Sequence, residues 1–310
     1  MKSFTKKYLK IDTPAKVNLF LNVVGKRPDG YHEIETIFHA ITLFDTIFLS
    51  KSQKKGIQIE CNEPSLPTDE GNLAHQAAKA LSDYVRVVPA VMIKIHKRIP
   101  IGSGLGGGSS DAAATLIGLA RLWNLGLGRD ELYEIARGLG ADVPFFILGG
   151  TALGKGIGDR LTPIETPEIH LVLIVPKFSI STREVYKRLK FRLTKEVLDI
   201  SIISDCVKKG DLSKLSRHLY NVLEEVSLKD YPYLQKLKER LNFAGALSSL
   251  MTGSGPAIFG LAPSREEAYK IKDRLKDIGE LVCVVSSFSS QVGVEDFEPP
   301  LFPLSSRRGD

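Results

Sequence analysis

A run of glycine and serine gives the first indication of chemistry in this sequence. Residues 99–111 read I-P-I-G-S-G-L-G-G-G-S-S-D, with five glycines and three serines, and an alanine-rich segment follows directly. Glycine costs backbone entropy, so this many glycines suit a loop whose backbone N–H groups must approach a ligand closely. A helix that begins near Ser109 would point its unpaired N–H groups and positive dipole end at the same ligand. The run therefore predicts a binding site for the phosphates of a nucleotide.

Three known glycine patterns compete for this run. A Walker A loop needs a lysine after its last glycine, and none is present. The dinucleotide pattern G-x-G-x-x-G occurs at Gly102, Gly104 and Gly107, but the acidic residue at the expected distance, Asp130, lies at a helix start instead of a strand end. A phosphate loop of another design fits better than either, and better than a flexible turn with a serine cap. Its residues are Pro100, Ile101, Gly102, Ser103, Gly104, Leu105, Gly106, Gly107, Gly108, Ser109 and Ser110.

Composition narrows the class of partner. The chain of 310 residues has a formal net charge of +6, which suits anionic small molecules. The basic runs 51–55 and 187–195 are too sparse for a nucleic-acid tail, so no nucleic-acid partner is expected. No apolar run reaches the ~20 residues of a membrane span, and the basic first residues lack the apolar core of a secretory signal. Cys61, Cys206 and Cys283 are far apart, which predicts free thiols in a reducing cytoplasm.

The elements that must position the loop are of mixed type. Strand-like segments dominate the first third, and helices alternate with strands in the second half. This pattern predicts an α+β chain of two domains, residues 1–165 and 166–310, with mixed or antiparallel sheets packed against helices. The terminal residues 305–310 are expected to be disordered.

Three local predictions can be checked directly. The segment Ile34–Leu49 suggests two strands around a bend. Asn72 is a suitable N-cap for a helix over 72–85, because apolar residues follow it at helical spacing. The segment Leu212–Val226 has the spacing of one continuous helix.

Two further motifs stand on either side of the glycine run. Residues 14–38 contain P-A-K-V-N-L-F-L and R-P-D-G-Y-H-E, and residues 251–261 begin M-T-G-S-G-P. With the glycine run between them, they resemble the GHMP kinases, the family of galactokinase, homoserine kinase and mevalonate kinase. The segments with D-G-Y-H and G-A-D-V-P-F-F are similar to the branch that acts on a cytidine diphosphate-linked methylerythritol. The resemblance implies an N-terminal ATP-binding domain, a C-terminal domain and an active-site cleft between them.

The resemblance also implies a reaction, the ATP-dependent phosphorylation of the substrate's 2-hydroxyl in non-mevalonate isoprenoid biosynthesis, with Mg²⁺ accompanying ATP. The implied catalytic residues are Lys16 and Asp142. Asp142 would accept or orient the hydroxyl proton, and Lys16 would supply positive charge to the oxygen and the phosphoryl group. Without the resemblance, Asp142 would be a helix N-cap, and Lys16 would be an exposed strand residue or a partner of Asp142 for stability only. No acidic residue matches a magnesium ligand, so the metal ligands stay open.

Binding residues follow from the same resemblance. Asn72 and Lys97 correspond to contacts on the adenine side of ATP. An aromatic ring stacks on a pyrimidine and a histidine hydrogen-bonds its edge, which are the roles implied for the tyrosines and the histidine of the substrate site. Read alone, the same positions are turn residues, a core aromatic and a tight turn between strands. The substrate residues are Asn18, Tyr31, His32, Thr182, Tyr186, Gly253, Ser254 and Gly255.

Two other functions remain open at this point. One is another small-molecule kinase of the same family, of the homoserine or mevalonate type, which would not depend on a cytidine group. The other is a regulator that binds a nucleotide without catalysis, which would not need both Lys16 and Asp142. The expected partner is a small molecule and the expected location is the cytoplasm. The oligomeric state is open between a monomer and a weak dimer.

Overall fold

A computed structural model describes residues 8–189, 199–289 and 294–297. Two sheets organise this part of the chain, a mixed sheet of eight strands and an antiparallel sheet of four. The first contains β1 (Tyr8–Lys26), β2 (His32–Lys51), β3 (Gly56–Cys61), β4 (Ala90–His96), β5 (Thr151–Lys155), β6 (Arg160–Ile164), β8 (Tyr220–Asn221) and β12 (Val294–Phe297). The second contains β7 (His170–Val175), β9 (Ser248–Met251), β10 (Ile258–Ala262) and β11 (Leu281–Ser286).

Ten helices pack on these sheets within the described residues. The predicted α+β architecture with mixed and antiparallel sheets is therefore confirmed. In chain order the helices are α1 (Leu73–Val85), α2 (Gly107–Leu122), α3 (Arg129–Arg137), α4 (Val143–Leu148), α5 (Thr182–Arg188), α6 (Ile200–Lys209), α7 (Leu212–Ser216), α8 (Glu224–Asp230), α9 (Pro232–Phe243) and α10 (Arg265–Asp273).

The first two strands are long and pair with each other along most of their length. The segment Ile34–Leu49 lies within the single strand β2, so the prediction of two strands is wrong. In place of a bend, the pairing shifts its register where Pro14 and Ala15 of β1 pair with Phe44 and Ile41 of β2. Such a bulge bends a strand and increases its twist without ending it.

One helix prediction holds and one fails. Asn72 caps α1, because its side-chain oxygen accepts a hydrogen bond of 2.9 Å from the backbone N–H of Ala74. The segment Leu212–Val226 is not one helix. It is divided between α7, β8 and α8, because Tyr220 and Asn221 pair in parallel with β1 and take an extended backbone. The helical spacing of the sequence cannot show that β1 pairs with these two residues. The predicted disordered end, residues 305–310, lies outside the described residues.

The two halves of the chain share a core. One hydrophobic cluster joins Val17 and Leu19 of β1 with Leu171 of β7 and Phe259 of β10. The second half also returns β8 and β12 to the edge of β1. All strands before residue 166 belong to the first sheet, and the boundary at 165/166 stays a prediction. No helix among the described residues is long and apolar enough to cross a membrane.

Close packing of α2 on the first sheet gives a test of this core. A Cβ atom on Gly118 would lie 2.3 Å from Cδ1 of Ile11 and 2.4 Å from Cδ1 of Leu49. Gly118→Ala is therefore expected to lower the free energy of unfolding by about 1–3 kcal/mol through overpacking. Urea denaturation measures the change. The matched control is Gly138→Ala, where the added Cβ would meet only the Ile135 carbonyl oxygen at 3.4 Å. Equal stability of the two variants would contradict this packing.

Candidate active site

The glycine loop connects β4 to α2. Gly102, Gly104 and Gly106 have φ angles of +63°, +82° and +75°, which residues with a Cβ atom rarely adopt. The helix begins at Gly107, two residues before the predicted Ser109. The first N–H groups of α2 have no acceptor within the helix, so they and the dipole favour an anion at this end.

The third motif packs directly on this loop. A Cβ on Gly104 would lie 2.3 Å from the carbonyl oxygen of Thr252, so only glycine fits there. The backbone N–H of Ala257 donates to the Ser103 carbonyl at 3.1 Å. Gly255 closes a turn with a hydrogen bond of 3.0 Å to the Thr252 carbonyl. The interpretation as a tight turn is correct, and the same turn also supports the glycine loop.

Lys16 and Asp142 meet beside the loop. The Lys16 Nζ lies 3.4 Å from Oδ2 of Asp142, and their side chains are 5% and 32% exposed. Lys16 is therefore not an exposed strand residue. Asp142 stands at the N-terminus of α4, but its side chain makes no capping hydrogen bond. The pair joins a buried amine to a partly solvated carboxylate, a contact that suits a role in stability as well as one in catalysis.

Polar neighbours fix the position of the amine. Lys16 Nζ donates to Oδ1 of Asn18 at 2.7 Å. The Asn18 amide nitrogen donates to Thr36 Oγ1 at 2.8 Å, and the Asn18 backbone N–H donates to Thr252 Oγ1 at 3.0 Å. The sequence reasoning missed both threonines. Thr252 is adjacent to the glycines of the third motif, whereas nothing in the sequence links Thr36 to Asn18.

A single cavity of about 1170 Å³ unites most of the predicted site. It extends from the glycine loop past the Lys16–Asp142 pair to α5. Both halves of the chain contribute to its wall, which agrees with a cleft between two domains. The predicted residues that line it are Lys16, Asn18, Tyr31, His32, Lys97, Pro100, Ile101, Gly102, Ser103, Gly104, Gly106, Gly107, Gly108, Ser109, Asp142, Thr182, Tyr186, Gly253 and Ser254.

The structure does not bring four of the predicted residues to the cavity wall. Asn72 is buried as the cap of α1, and Leu105 is fully buried in the core. The Ser110 hydroxyl donates to the Pro14 carbonyl at 2.6 Å, which joins α2 to β1 and leaves the hydroxyl inaccessible. Gly255 lies behind Ser254 in the turn of the third motif. Each has a structural role in holding the site.

An aromatic group lies at the other end of the cavity. The rings of His32 and Tyr186 are 5.1 Å apart and tilted by 35°, and Tyr31 is 60% exposed. Burial lowers the pKa of His32, and the charge of Lys26 lowers it further, and both effects favour the neutral ring. Burial raises the pKa of the Tyr186 hydroxyl, with a further contribution from the negative charge of Asp142. A neutral imidazole offers one donor and one acceptor to a planar ligand.

Lys97 belongs to a buried group of three charges. Its ammonium binds Asp45 and also lies 2.8 Å from Oδ2 of Asp111. Burial lowers the pKa of Lys97, but attraction to Asp111 and Asp45 outweighs burial and raises it overall. The amine is thus committed to two carboxylates and is not a free cation for a nucleotide. The sequence analysis did not identify Asp45, because this residue belongs to none of the motifs.

Asp111 is the less well satisfied carboxyl of the pair. Asp45 also accepts hydrogen bonds from the backbone N–H groups of Arg98 and Ile99, at 2.6 and 2.8 Å. The Oδ1 atom of Asp111 is buried and has no hydrogen-bond partner among the described residues. Burial raises the pKa of Asp111 to about 7, Lys97 opposes the shift, and Asp45 adds to it.

Replacement of Asp111 tests this assignment. A carboxyl whose pKa rises from 3.8 in the unfolded chain to about 7 in the folded one stabilises the fold below pH 4. That stability is lost as pH rises to 7, at most about 1.4 kcal/mol per pH unit. Asp111→Asn removes the titration, so the stability of the wild type relative to the variant should fall between pH 4 and 7. Urea unfolding across that range measures it, and parallel curves would contradict it.

The paired carboxyl serves as the contrast. Asp45→Asn would place an amide nitrogen against the Lys97 ammonium. This variant is therefore expected to be less stable than the wild type across the same range, and its stability should depend less on pH, because loss of the Asp45 charge lowers the pKa of Asp111.

Comparison with known proteins assigns the family. The profile of the GHMP kinases N terminal domain matches residues 72–150, and that of the GHMP kinases C terminal matches residues 203–281. A 4-diphosphocytidyl-2-C-methyl-D-erythritol kinase of Syntrophomonas wolfei subsp. wolfei is 40% identical over 279 residues, which cover 90% of this chain and 98% of that protein.

Solved structures agree with the sequence matches. A crystal structure of 4-(cytidine 5'-diphospho)-2C-methyl-D-erythritol kinase superposes with a TM-score of 0.78 at 33% identity, covering 91% of this chain and 100% of that one. Homoserine kinase from Cytophaga hutchinsonii also gives a TM-score of 0.78, at 22% identity, covering 96% of this chain and 99% of that one. The second likeness shows the fold alone. The chain belongs to the GHMP kinases and, among them, to the family of 4-diphosphocytidyl-2-C-methyl-D-erythritol kinases.

Proposed function

We propose that the protein transfers the γ-phosphoryl group of ATP to the 2-hydroxyl of 4-diphosphocytidyl-2-C-methyl-D-erythritol, giving the 2-phosphate and ADP. The observation that carries the proposal is the contact of 3.4 Å between Lys16 Nζ and Asp142 Oδ2 in the cavity beside the glycine loop. An acid and an amine at that place suit an alcohol that attacks a phosphorus atom. The names of the relatives supply the substrate.

The chemistry needs few groups from the protein. As the hydroxyl oxygen forms its bond to the γ-phosphorus, the bond from that phosphorus to the bridging oxygen of ADP breaks. The hydroxyl proton passes to Asp142, which lies partly open to the cavity. The ammonium of Lys16 offsets the negative charge on the attacking oxygen and the phosphoryl group. Phosphoryl transfer depends mostly on positioning and electrostatics, so the fixed amine is the important feature.

ATP is proposed to bind with its phosphates at the N-terminus of α2. Gly104, Gly106 and Gly107 lie in the cavity wall, where missing side chains let backbone N–H groups reach the phosphates. Mg²⁺, when bound with ATP, would neutralise part of the charge on the phosphate oxygens. Asp142 is the single acidic residue among those that line the cavity, and the described residues include no cluster suited to a metal ion. Mg²⁺ is therefore proposed to enter with ATP, and no residue is assigned as its ligand.

The substrate is proposed to span the cavity from the aromatic group to Lys16. Tyr31 and Tyr186 offer faces for stacking on cytosine, and His32 offers a neutral ring edge. Asn18 is proposed to contact the methylerythritol hydroxyls next to Lys16. The Thr182 hydroxyl lies 2.8 Å from the Ser254 hydroxyl, so α5 and the third motif meet where the middle of the substrate would pass. The cytoplasm, where ATP is available, is the proposed location.

One incubation tests the reaction. The purified protein is mixed with ATP, Mg²⁺ and the cytidylylated methylerythritol, and ³¹P NMR follows a new phosphomonoester together with ADP. Homoserine and mevalonate serve as competing acceptors. Phosphorylation of homoserine or mevalonate, neither of which has a cytidine group, would overturn the proposal. So would a failure to form ADP with any of the three acceptors.

Asp142→Asn is expected to lower kcat by about two powers of ten or more, because the variant cannot accept the proton. The affinity for ATP should change little, since Asp142 does not belong to the glycine loop. Steady-state kinetics with ATP varied, together with nucleotide titration, separate the two effects. Equal losses in kcat and in ATP affinity would remove Asp142 from the proposed role.

Tyr186→Ala is expected to raise the KM of the cytidylylated substrate by about tenfold, because one stacked ring is lost. The KM of ATP should remain close to that of the wild type. Tyr186→Phe is the matched control, since it keeps the ring and removes only the hydroxyl. A substrate KM that stays unchanged in Tyr186→Ala would exclude Tyr186 from the site.

A further inference from the structure

Three cations in the cavity wall have no role in the reaction described so far. Lys26 ends β1, and Arg183 and Lys187 lie on α5, so both halves of the chain contribute. All three are exposed. The described residues provide no ion pair for any of them. Within the described part of the chain they are thus available to face a ligand.

The placement on α5 is unfavourable without a ligand. Arg183 and Lys187 are four residues apart, so they share one face of the helix and repel each other. The neighbouring Arg188 behaves differently, because its guanidinium donates a hydrogen bond of 2.7 Å to Asp230. One basic residue of α5 is neutralised by the protein, whereas the two that line the cavity are not. An anion between them would relieve the repulsion.

The charge of the cavity wall points the same way. Lys16 is paired with Asp142, and Lys97 is held by two buried carboxylates. Asp142 is the single acid among the lining residues. The positive charge that remains comes from Lys26, Arg183 and Lys187. It is separate from the glycine loop, where backbone N–H groups already suit the phosphates of ATP.

The three cations accompany the aromatic group. Lys187 follows Tyr186 directly in α5, and the charge of Lys26 acts on His32. A ligand whose planar base lies against these rings would therefore bring an attached anionic group within reach of the cations. A nucleoside diphosphate has this chemistry.

We propose that Lys26, Arg183 and Lys187 bind the diphosphate of the nucleoside diphosphate-linked substrate and make the enzyme select a diphosphate over an uncharged nucleoside. The inference rests on the proposed function and deepens it, because it identifies what recognises the linker between base and reacting alcohol. The cations on the two halves of the chain hold one diphosphate between them.

Titration calorimetry with cytidine, CMP and CDP tests the proposal. The glycine loop is first saturated with adenylyl imidodiphosphate, so that the cytidine compounds cannot bind there. The wild type should bind CDP more tightly than CMP, and CMP more tightly than cytidine. The double variant Arg183→Gln/Lys187→Gln should bind CDP about tenfold more weakly, while its affinity for cytidine is unchanged. Lys26→Gln should weaken CDP by a smaller factor.

Arg188→Gln is the matched control. It removes one positive charge from the same helix, but Arg188 pairs with Asp230 and does not line the cavity. Its affinity for CDP should equal that of the wild type. The proposal would be overturned if Arg188→Gln lost as much CDP affinity as the double variant, or if the double variant lost cytidine affinity to the same extent. A rise in the KM of ATP alone, in steady-state kinetics of the double variant, would also overturn it.

The calorimetric readout separates this proposal from the reaction itself. If the wild type prefers CDP and the double variant loses that preference, the inference holds even where no phosphoryl transfer to the cytidylylated alcohol occurs. If the reaction proceeds and the wild type binds CDP no better than cytidine, the inference fails and the proposed function stands. Circular dichroism of each variant confirms that the overall secondary structure is retained.

Discussion

One edge of β1 carries the hydrogen bonds on which the site depends. The Lys16 backbone N–H donates to the Leu105 carbonyl of the glycine loop at 3.0 Å, and the Asn18 N–H donates to Thr252 of the third motif at 3.0 Å. In a strand, the backbone N–H groups of residues two positions apart point to the same side. The strand therefore attaches both loops side by side and sets the Lys16 amine between them. Loss of this register would move the amine and both loops together.

The glycine loop and the third motif pack so closely that their contacts leave no room for larger side chains. Gly104 has no room for a Cβ against Thr252, and Gly106 has none against Phe146 and Lys16. Asn221 adds a brace from the second half, because its amide nitrogen donates to the carbonyls of Met251 and Gly253 at 2.7 and 2.8 Å. Preorganisation of this kind is what phosphoryl transfer requires, since the protein contributes little covalent chemistry.

The sequence predicted the site better than the path of the chain around it. The glycine run could be named because few residue types tolerate positive φ, whereas the catalytic and substrate residues were named from the resemblance to the GHMP kinases. Asp45 could not be found, because a buried carboxylate looks like any strand residue until its partner, Lys97, is placed. The division of the Leu212–Val226 segment also escaped, because Tyr220–Asn221 becomes extended only by pairing with a strand two hundred residues earlier.

The return of β8 to β1 and the core shared by Val17, Leu19, Leu171 and Phe259 have a further consequence. Each half buries part of its apolar surface against the other half, so cutting the chain near residue 165 would expose that surface on both fragments. For the same reason the two halves could not move apart without exposing the core that they share.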